Sequence, residues 1–512
     1  MSEEFERAQA LFRAHDYAGC VALCRRLLGG TGDDVPTLHL LGVALVRTGE
    51  LAGGADVLAH ALELAPADLT LRIDRALALA QSGRLDAAVL VFAEGARFHP
   101  GNPDLAARLA RLLSEHGRHA DAQAVLAAAL GAVPDHLELR GLIAAECAAD
   151  LRIGEALAHL AVIDLLVPGQ SQIHTNLGVL HQAAGHLDQA IRHYRRAIQL
   201  APDNSLAHVN LATAWLSLGD FRQGLPEYER RLTLPHVRRP PATVPRWQGE
   251  PLAGRRLLVT AEQGYGDMIQ FARFLPDLAA LGADVVVECP PGLERLVAAI
   301  AGVSSTVTMG APLPAADFAI PLLSLPLCLG CDGSRLAAAL PYVTAPAGFA
   351  LPPGSGLRVG LVWAGRPASG ETFVRRSLNR RACALADLAA LLAVPTVRWF
   401  SLQVGEASAE LGGAPHPIAD LAPALKDFAD TAAAIVELDL VISVDTSVAH
   451  LAGALKAPLW VLLAAGQTDY RWGPAGGSSP WYPHARLFRA GPAGWRGLAD
   501  TVAAALRERV DL

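Results

Sequence analysis

The sequence predicts an all-α array of helical hairpins followed by an α/β region built on two sheets. Three sets of positions recurring every 34 residues predict the array, and short β-branched runs alternating with helical stretches predict the sheets. A proline-rich stretch separates the two patterns. At 512 residues the chain is too long for one hydrophobic core and suits roughly three domains or lobes. Its 52% hydrophobic content, carried largely by alanine and leucine, fits a helix-rich protein.

Pro66, Pro100, Pro134, Pro168 and Pro202 stand 34 residues apart, as do Gly49, Gly83, Gly117, Gly185 and Gly219, with Leu151 in the one gap. A third set is small throughout: Gly54, Ala88, Ala122, Ala156, Ala190 and Gly224. In a helix–turn–helix unit the glycine ends the first helix, where a left-handed residue costs little. The small residue lets two helices cross closely, and the proline closes the second helix. Units are expected to begin near Val35, Leu69, Pro103, Leu137, Ser171 and Ser205, after a weaker first unit in which His15 replaces the glycine. The unit from Ser171 to Asn204, with Leu177, Gly178, Gly185, Ala190, Tyr194, Ala197 and Pro202, resembles the tetratricopeptide consensus. The resemblance implies about seven such units over residues 1–236, curled into a superhelix whose groove holds a peptide or protein surface. Self-assembly uses the same physics.

Residues 237–254, with Arg238-Arg239-Pro240-Pro241 and Pro245, cannot continue a helix and read as a linker. A first lobe (255–345) is expected to hold strands Leu257–Thr260, Asp284–Glu288, Thr306–Thr308 and Phe318–Ile320. A second lobe (346–512) is expected to hold Arg358–Trp363, Val397–Leu402, Leu440–Val444, Leu459–Leu463 and Arg486–Phe488. Two such lobes suggest Rossmann-like sheets facing across a cleft, with ligands at the carboxyl ends of the strands.

A net charge of -7 argues against nucleic acid as partner. The stretches Leu296–Ala316 and Leu336–Leu357 are uncharged or nearly so, but proline and glycine interrupt both, so no membrane span is expected. The acidic start Met1-Ser2-Glu3-Glu4 is unlike a signal peptide, and seven scattered cysteines suit reduced thiols, so a cytoplasmic location is expected. Cys328 and Cys331 have metal or redox spacing, but no second pair supports them.

At the end of the first lobe-one strand stands Glu262-Gln263-Gly264-Tyr265-Gly266-Asp267. Gly264 and Gly266 permit a tight turn and close approach of a ligand. Asp267 suits a helix cap or, facing a donor, a general base. A dinucleotide fingerprint, with Glu288 as its ribose acid, lacks its third glycine because Ile269 stands there. In lobe two, Leu440–Val444 runs into Asp445-Thr446-Ser447-Val448-Ala449-His450. A helix start with the hydroxyls of Thr446 and Ser447 suits anionic oxygens. Asp445 suits a cap or an acceptor for sugar hydroxyls, and His450 a phosphate ligand or an interior histidine. Arg375, Arg376, Ser377 and Asn379 form a polar loop in which either arginine suits a leaving phosphate.

These two elements resemble the ADP-heptose:lipopolysaccharide heptosyltransferases and the bacterial tetratricopeptide proteins that carry a similar C-terminal domain. Val362-Trp363-Ala364-Gly365, Arg376-Ser377, Ser401-Leu402-Gln403, Asp427-Phe428-Ala429-Asp430-Thr431 and Ser479-Pro480-Trp481-Tyr482-Pro483 add to it. The resemblance implies a GT-B fold and metal-independent, inverting transfer without a cofactor. It implies Asp267 as base and Asp445, Thr446, Ser447 and His450 as donor-binding residues, with Gly264, Gly266 and Arg376 beside them. The family favours lysine where this chain has Arg375 and Arg376. The layout is also similar to flagellin glycosyltransferases, which implies a protein acceptor, flagellin among them, and a donor such as an activated pseudaminic acid. The alternatives are a lipid-linked or lipopolysaccharide acceptor, and a non-enzymatic scaffold with a degenerate transferase domain.

Overall fold

The computed structural model describes residues 3–31, 33–235, 237–336, 339–366, 380–466, 469–473 and 476–510. By contact the chain divides into two units, Met1–Leu166 and Val167–Leu512.

The first unit is five helical hairpins: Glu3–Arg13 with Tyr17–Thr31, Val35–Arg47 with Leu51–Leu64, Leu69–Gln81 with Leu85–Phe98, Pro103–Glu115 with His119–Ala132, and Leu137–Ala149 with Ile153–Leu166. From the second hairpin on, the first helices start at the residues the 34-residue period predicts. Asp34, Asp68 and Asn102 cap them by accepting from the backbone N–H three residues on, at 3.0–3.1 Å. The turn position is left-handed in every hairpin. It has φ +92° at Gly49, and also φ +61° at His15 and +60° at Leu151, the two places without glycine. Ala88, Ala122 and Ala156 are fully buried where the helices cross.

The second unit opens with two more hairpins, Ser171–Ala183 with Leu187–Leu200 and Ser205–Ser217 with Phe221–Tyr228. On Gly178 an added Cβ would stand 2.4 Å from the Tyr194 ring, so glycine is required there by space. Two parallel sheets follow. Lobe one has β1 (Arg256–Thr260), β2 (Asp284–Cys289), β3 (Val303–Thr308) and β4 (Phe318–Pro321) in the order β3-β2-β1-β4. Lobe two has β5 (Leu357–Val362), β6 (Val397–Ser401), β7 (Ile418–Asp420), β8 (Leu440–Val444), β9 (Leu459–Leu463) and β10 (Ala485–Arg489) in the order β10-β9-β8-β5-β6-β7. Both orders reverse at their first strand, which puts switch points between β1 and β4 and between β5 and β8.

The last hairpin shares one apolar core with both lobes: Leu216, Phe221, Leu225 and Tyr228 join Trp247, Leu257 and Phe271 of lobe one, and Trp481 of lobe two. Arg231, just after it, is 1% exposed and forks onto Glu262 of lobe one at 2.9 and 3.0 Å, with Ser324 Oγ as a further acceptor at 2.7 Å. The segment after Pro235 lies against lobe one. The Ala319 N–H donates to Pro245 O at 2.9 Å and the Trp247 N–H to Ala319 O at 3.0 Å, a parallel bridge that covers part of the β4 edge. Arg238 forks onto the buried Glu288 carboxylate at 2.5 and 2.6 Å.

Candidate functional site

The turn after β1 and the turn after β8 lie at the two switch points and meet. The helix Tyr265–Phe271 of lobe one packs on the helix Ser447–Ala454 of lobe two. Gly266 has ordinary backbone angles, and its missing side chain makes room for His450 and Ser447 rather than for a ligand at the backbone. Gly264 is extended at the helix cap, φ -75° and ψ 176°, so neither glycine serves a left-handed turn.

Asp267 does two things. Its Oδ2 accepts from the Gly264 N–H at 3.0 Å, capping its own helix, and its Oδ1 accepts from Arg471 Nη2 of lobe two. Burial pushes its carboxyl above the ordinary range, and Arg471 opposes that shift. Arg471 is itself buried, with Nη1 on Asp469 Oδ2 at 2.6 Å. Burial alone would raise Asp469, but Arg471 and Arg381 outweigh it and hold it low.

Asp445 is not a helix cap. Its Oδ1 accepts from the Trp472 indole N–H at 2.8 Å, and its Oδ2 pairs with Arg381 at 3.0 Å. Burial raises its carboxyl, against Arg381. Thr446 occupies the cap position without a side-chain bond to the helix, because its hydroxyl pairs with Ser443 Oγ at 3.0 Å. Ser447 is half-buried at the helix start. His450 is an interior residue. It stacks on Trp472 with ring centroids 5.0 Å apart, its Nδ1 meets the Tyr482 hydroxyl at 3.2 Å, and burial with nearby Arg471 pushes its pKa down to about 3. A neutral ring there is no cationic phosphate ligand. Arg375, Arg376, Ser377 and Asn379 lie outside the described residues.

The other motif residues are supports. The Trp363 and Ala364 N–H groups donate to Gln403 Oε1 at 3.2 and 3.0 Å. Arg295 of lobe one pairs with Asp427 and Asp430 of lobe two at 3.0 and 3.2 Å. Ser479 Oγ donates to Arg471 O at 2.6 Å. The residues that sequence reasoning missed are Arg381, Asp469, Arg471 and Trp472. The last three stand in the loop after β9, and their place beyond a strand's carboxyl end was the available signal. Glu288 is committed to Arg238, so the dinucleotide reading loses its ribose acid. Among the described residues no cluster of three or more His, Cys, Asp or Glu side chains is arranged to hold a metal, and no helix is long and apolar enough to cross a membrane.

Helical repeats are followed by an α/β region of two parallel sheets. Tetratricopeptide repeat models match residues 39–103, 79–146 and 171–204. The chain is similar to Protein FlbA of Caulobacter vibrioides, 27% identical over 319 residues, covering 51% of this chain and 48% of the relative. It thus spans about half the length of the curated relative it matches. Among solved structures it is similar to YrrB, described as a TPR protein with an unusual peptide-binding site (21% identity, 36% of this chain, 95% of that one, TM-score 0.29). It is also similar to a tetratricopeptide repeat protein from Parabacteroides merdae (12% identity, 46% of this chain, 92% of that one, TM-score 0.35).

Proposed function

We propose that the α/β region is a GT-B glycosyltransferase moving a sugar from a nucleotide-activated donor to a protein acceptor held by the repeats. One observation carries the reading: the helix that bears Asp267 packs on the helix start of the other switch point, with Gly266 against Ser447 and His450. A carboxylate on one side and free N–H groups at a helix start on the other are what inverting transfer requires.

In this reading the donor phosphate lies at the start of helix Ser447–Ala454, beside Arg381, whose side chain is 31% exposed. Asp267 takes the proton of an acceptor Ser or Thr hydroxyl as its oxygen bonds to the anomeric carbon. The bond from that carbon to the phosphate oxygen breaks, and the nucleotide leaves with the electron pair. Helix N–H groups and Arg381 stabilise the charge on the leaving phosphate. Lone pairs on Asp267 beyond the two already used remain for the proton, since a carboxylate has about four acceptor sites. Flagellin is one acceptor of this class, and a cytoplasmic location suits a soluble donor.

Titration with a panel of nucleotides and nucleotide sugars, followed by transfer assays, tests the reading. Asp267→Asn should retain donor binding and lose roughly 100-fold or more in kcat. Undiminished transfer by that variant removes Asp267 from the reaction.

A second reading, a partner-binding scaffold with an inactive α/β region, is favoured by the internal partners of Asp267 and Asp445. It gains if no nucleotide binds while the repeats still capture a protein.

A further inference from the structure

Arg471 lies 204 residues from Asp267 in sequence, yet its guanidinium joins Asp267 of lobe one to Asp469 of lobe two. It is 5% exposed, with its plane near the rings of Tyr470 (4.5 Å) and Phe271 (5.4 Å). The segment bearing it is fixed from several sides. The Arg471 N–H donates to Asp469 Oδ1 at 3.0 Å, and its carbonyl accepts from Ser479. The carbonyls of Trp472 and Gly473 accept from Arg489 Nη2 at 2.8 and 2.9 Å. The Tyr470 ring lies 6.2 Å from that of Tyr228 in the last hairpin.

We propose that Arg471 is the positioning residue of this site, holding the Asp267 carboxylate across the lobe boundary while Asp469 anchors the guanidinium from behind. This deepens the transferase reading and rests on it for its catalytic meaning, but the pairing itself does not.

Asp267 needs such a partner. Its side chain is 18% exposed, and a carboxylate so far removed from water takes up a proton unless a cation opposes it. Arg471 supplies that cation, and its fork fixes which lone pairs stay open to a substrate hydroxyl. Asp469 shares the positive charge, so Asp267 remains a stronger base than a carboxylate with an undivided arginine. Tyr228 and Tyr470, both shifted upward by burial, stay neutral beside it, and Arg381 adds a more distant positive charge. Buried as it is, Arg471 acts on the reaction through Asp267.

The test is the carboxyl midpoint of Asp267, read by carbon-13 NMR of Asp-labelled full-length protein and assigned with Asp267→Asn. The midpoint should rise in Arg471→Gln and fall in Asp469→Asn, because the two substitutions remove opposite charges. A midpoint unmoved in Arg471→Gln, or moving the same way in both variants, overturns the proposal. If Arg471→Gln does not fold, Arg471→Lys replaces it. Lysine keeps the charge but cannot fork onto both carboxylates, so the midpoint should move upward by a smaller amount. In transfer assays Arg471→Gln should lose roughly tenfold or more in kcat with donor KM nearly unchanged. It should lose nothing further in an Asp267→Asn background. A protein that transfers from no nucleotide sugar, yet shows the opposed midpoint shifts, overturns the transferase reading and leaves Arg471 in its role.

Discussion

Gly266 of lobe one lies directly against His450 of lobe two: a Cβ placed on Gly266 would stand 2.8 Å from Cδ2 of the imidazole and 3.4 Å from its Nε2. The ring cannot retreat, because Trp472 and Tyr482 cover it. Gly266→Ala should therefore push the two helices apart and cost about 1–3 kcal/mol, as overpacking does. Urea unfolding measures the cost, and an unchanged midpoint would show that the lobes meet more loosely than described.

The buried His450 makes stability depend on pH. Its folded pKa of about 3 lies below the ordinary histidine value of 6.5, so between those values the unfolded chain binds the extra proton. Its contribution is complete above about pH 6.5 and is lost as pH falls towards 3. The raised carboxyls of Asp267 and Asp445 act in the opposite sense, their contributions falling as pH rises. Comparison with His450→Gln isolates the imidazole. Wild type should lose roughly 2 kcal/mol relative to that variant between pH 7 and pH 5. Parallel urea midpoints in the two proteins would contradict a buried neutral ring.

Leu151 carries a left-handed backbone at φ +60° and is 41% exposed. Leu151→Gly should relieve a conformation that costs a side chain about 1–2 kcal/mol, with little apolar burial lost. The expected gain is about 0.5–1 kcal/mol after the added unfolded-state freedom of glycine is counted. Thermal or urea unfolding of residues 1–166 checks it.

Arg231 and Glu262 are both sealed from solvent, at 1% and 0% of side-chain exposure. Arg231→Ala leaves a buried carboxylate facing no cation and should cost about 3–5 kcal/mol. A fragment starting at residue 237 also loses Phe221 and Tyr228 and should fail to fold. A fragment from Val167 onward keeps that shared core and should fold. Limited proteolysis and circular dichroism distinguish the two.

The repeats were legible because each rests on local chemistry. A left-handed turn, a crossing without room for a side chain and a helix stop each select a residue type at a fixed spacing. Most parallel strands were legible within a residue, since burial on both faces gives runs such as Asp284–Cys289, whereas β3, without a fully buried residue, starts at Val303 rather than at the expected Thr306. Strand β7, Ile418–Asp420, was not predicted: it is three residues long, sits at the sheet edge and has no fully buried residue. The turns holding Asp267 and Asp445 were visible as strand-to-helix junctions. Their partners were not, since the indole of Trp472 and the guanidinium of Arg471 find carboxylates through the tertiary fold. A helix cap was the natural local reading of Asp445, and a long-range indole bond took its place.

The fork of Arg238 on Glu288 limits what this chain could become. Glu288 stands next to the end of β2, near where a dinucleotide-binding protein keeps an acid for ribose hydroxyls, and here it also accepts from the Ala261 N–H at 3.3 Å. Restoring a glycine at Ile269 would complete the fingerprint in writing while the acid stayed occupied by the segment arriving from the repeats. That arginine works like a stopper, keeping the acid from any ribose that a completed fingerprint would bring to the strand end.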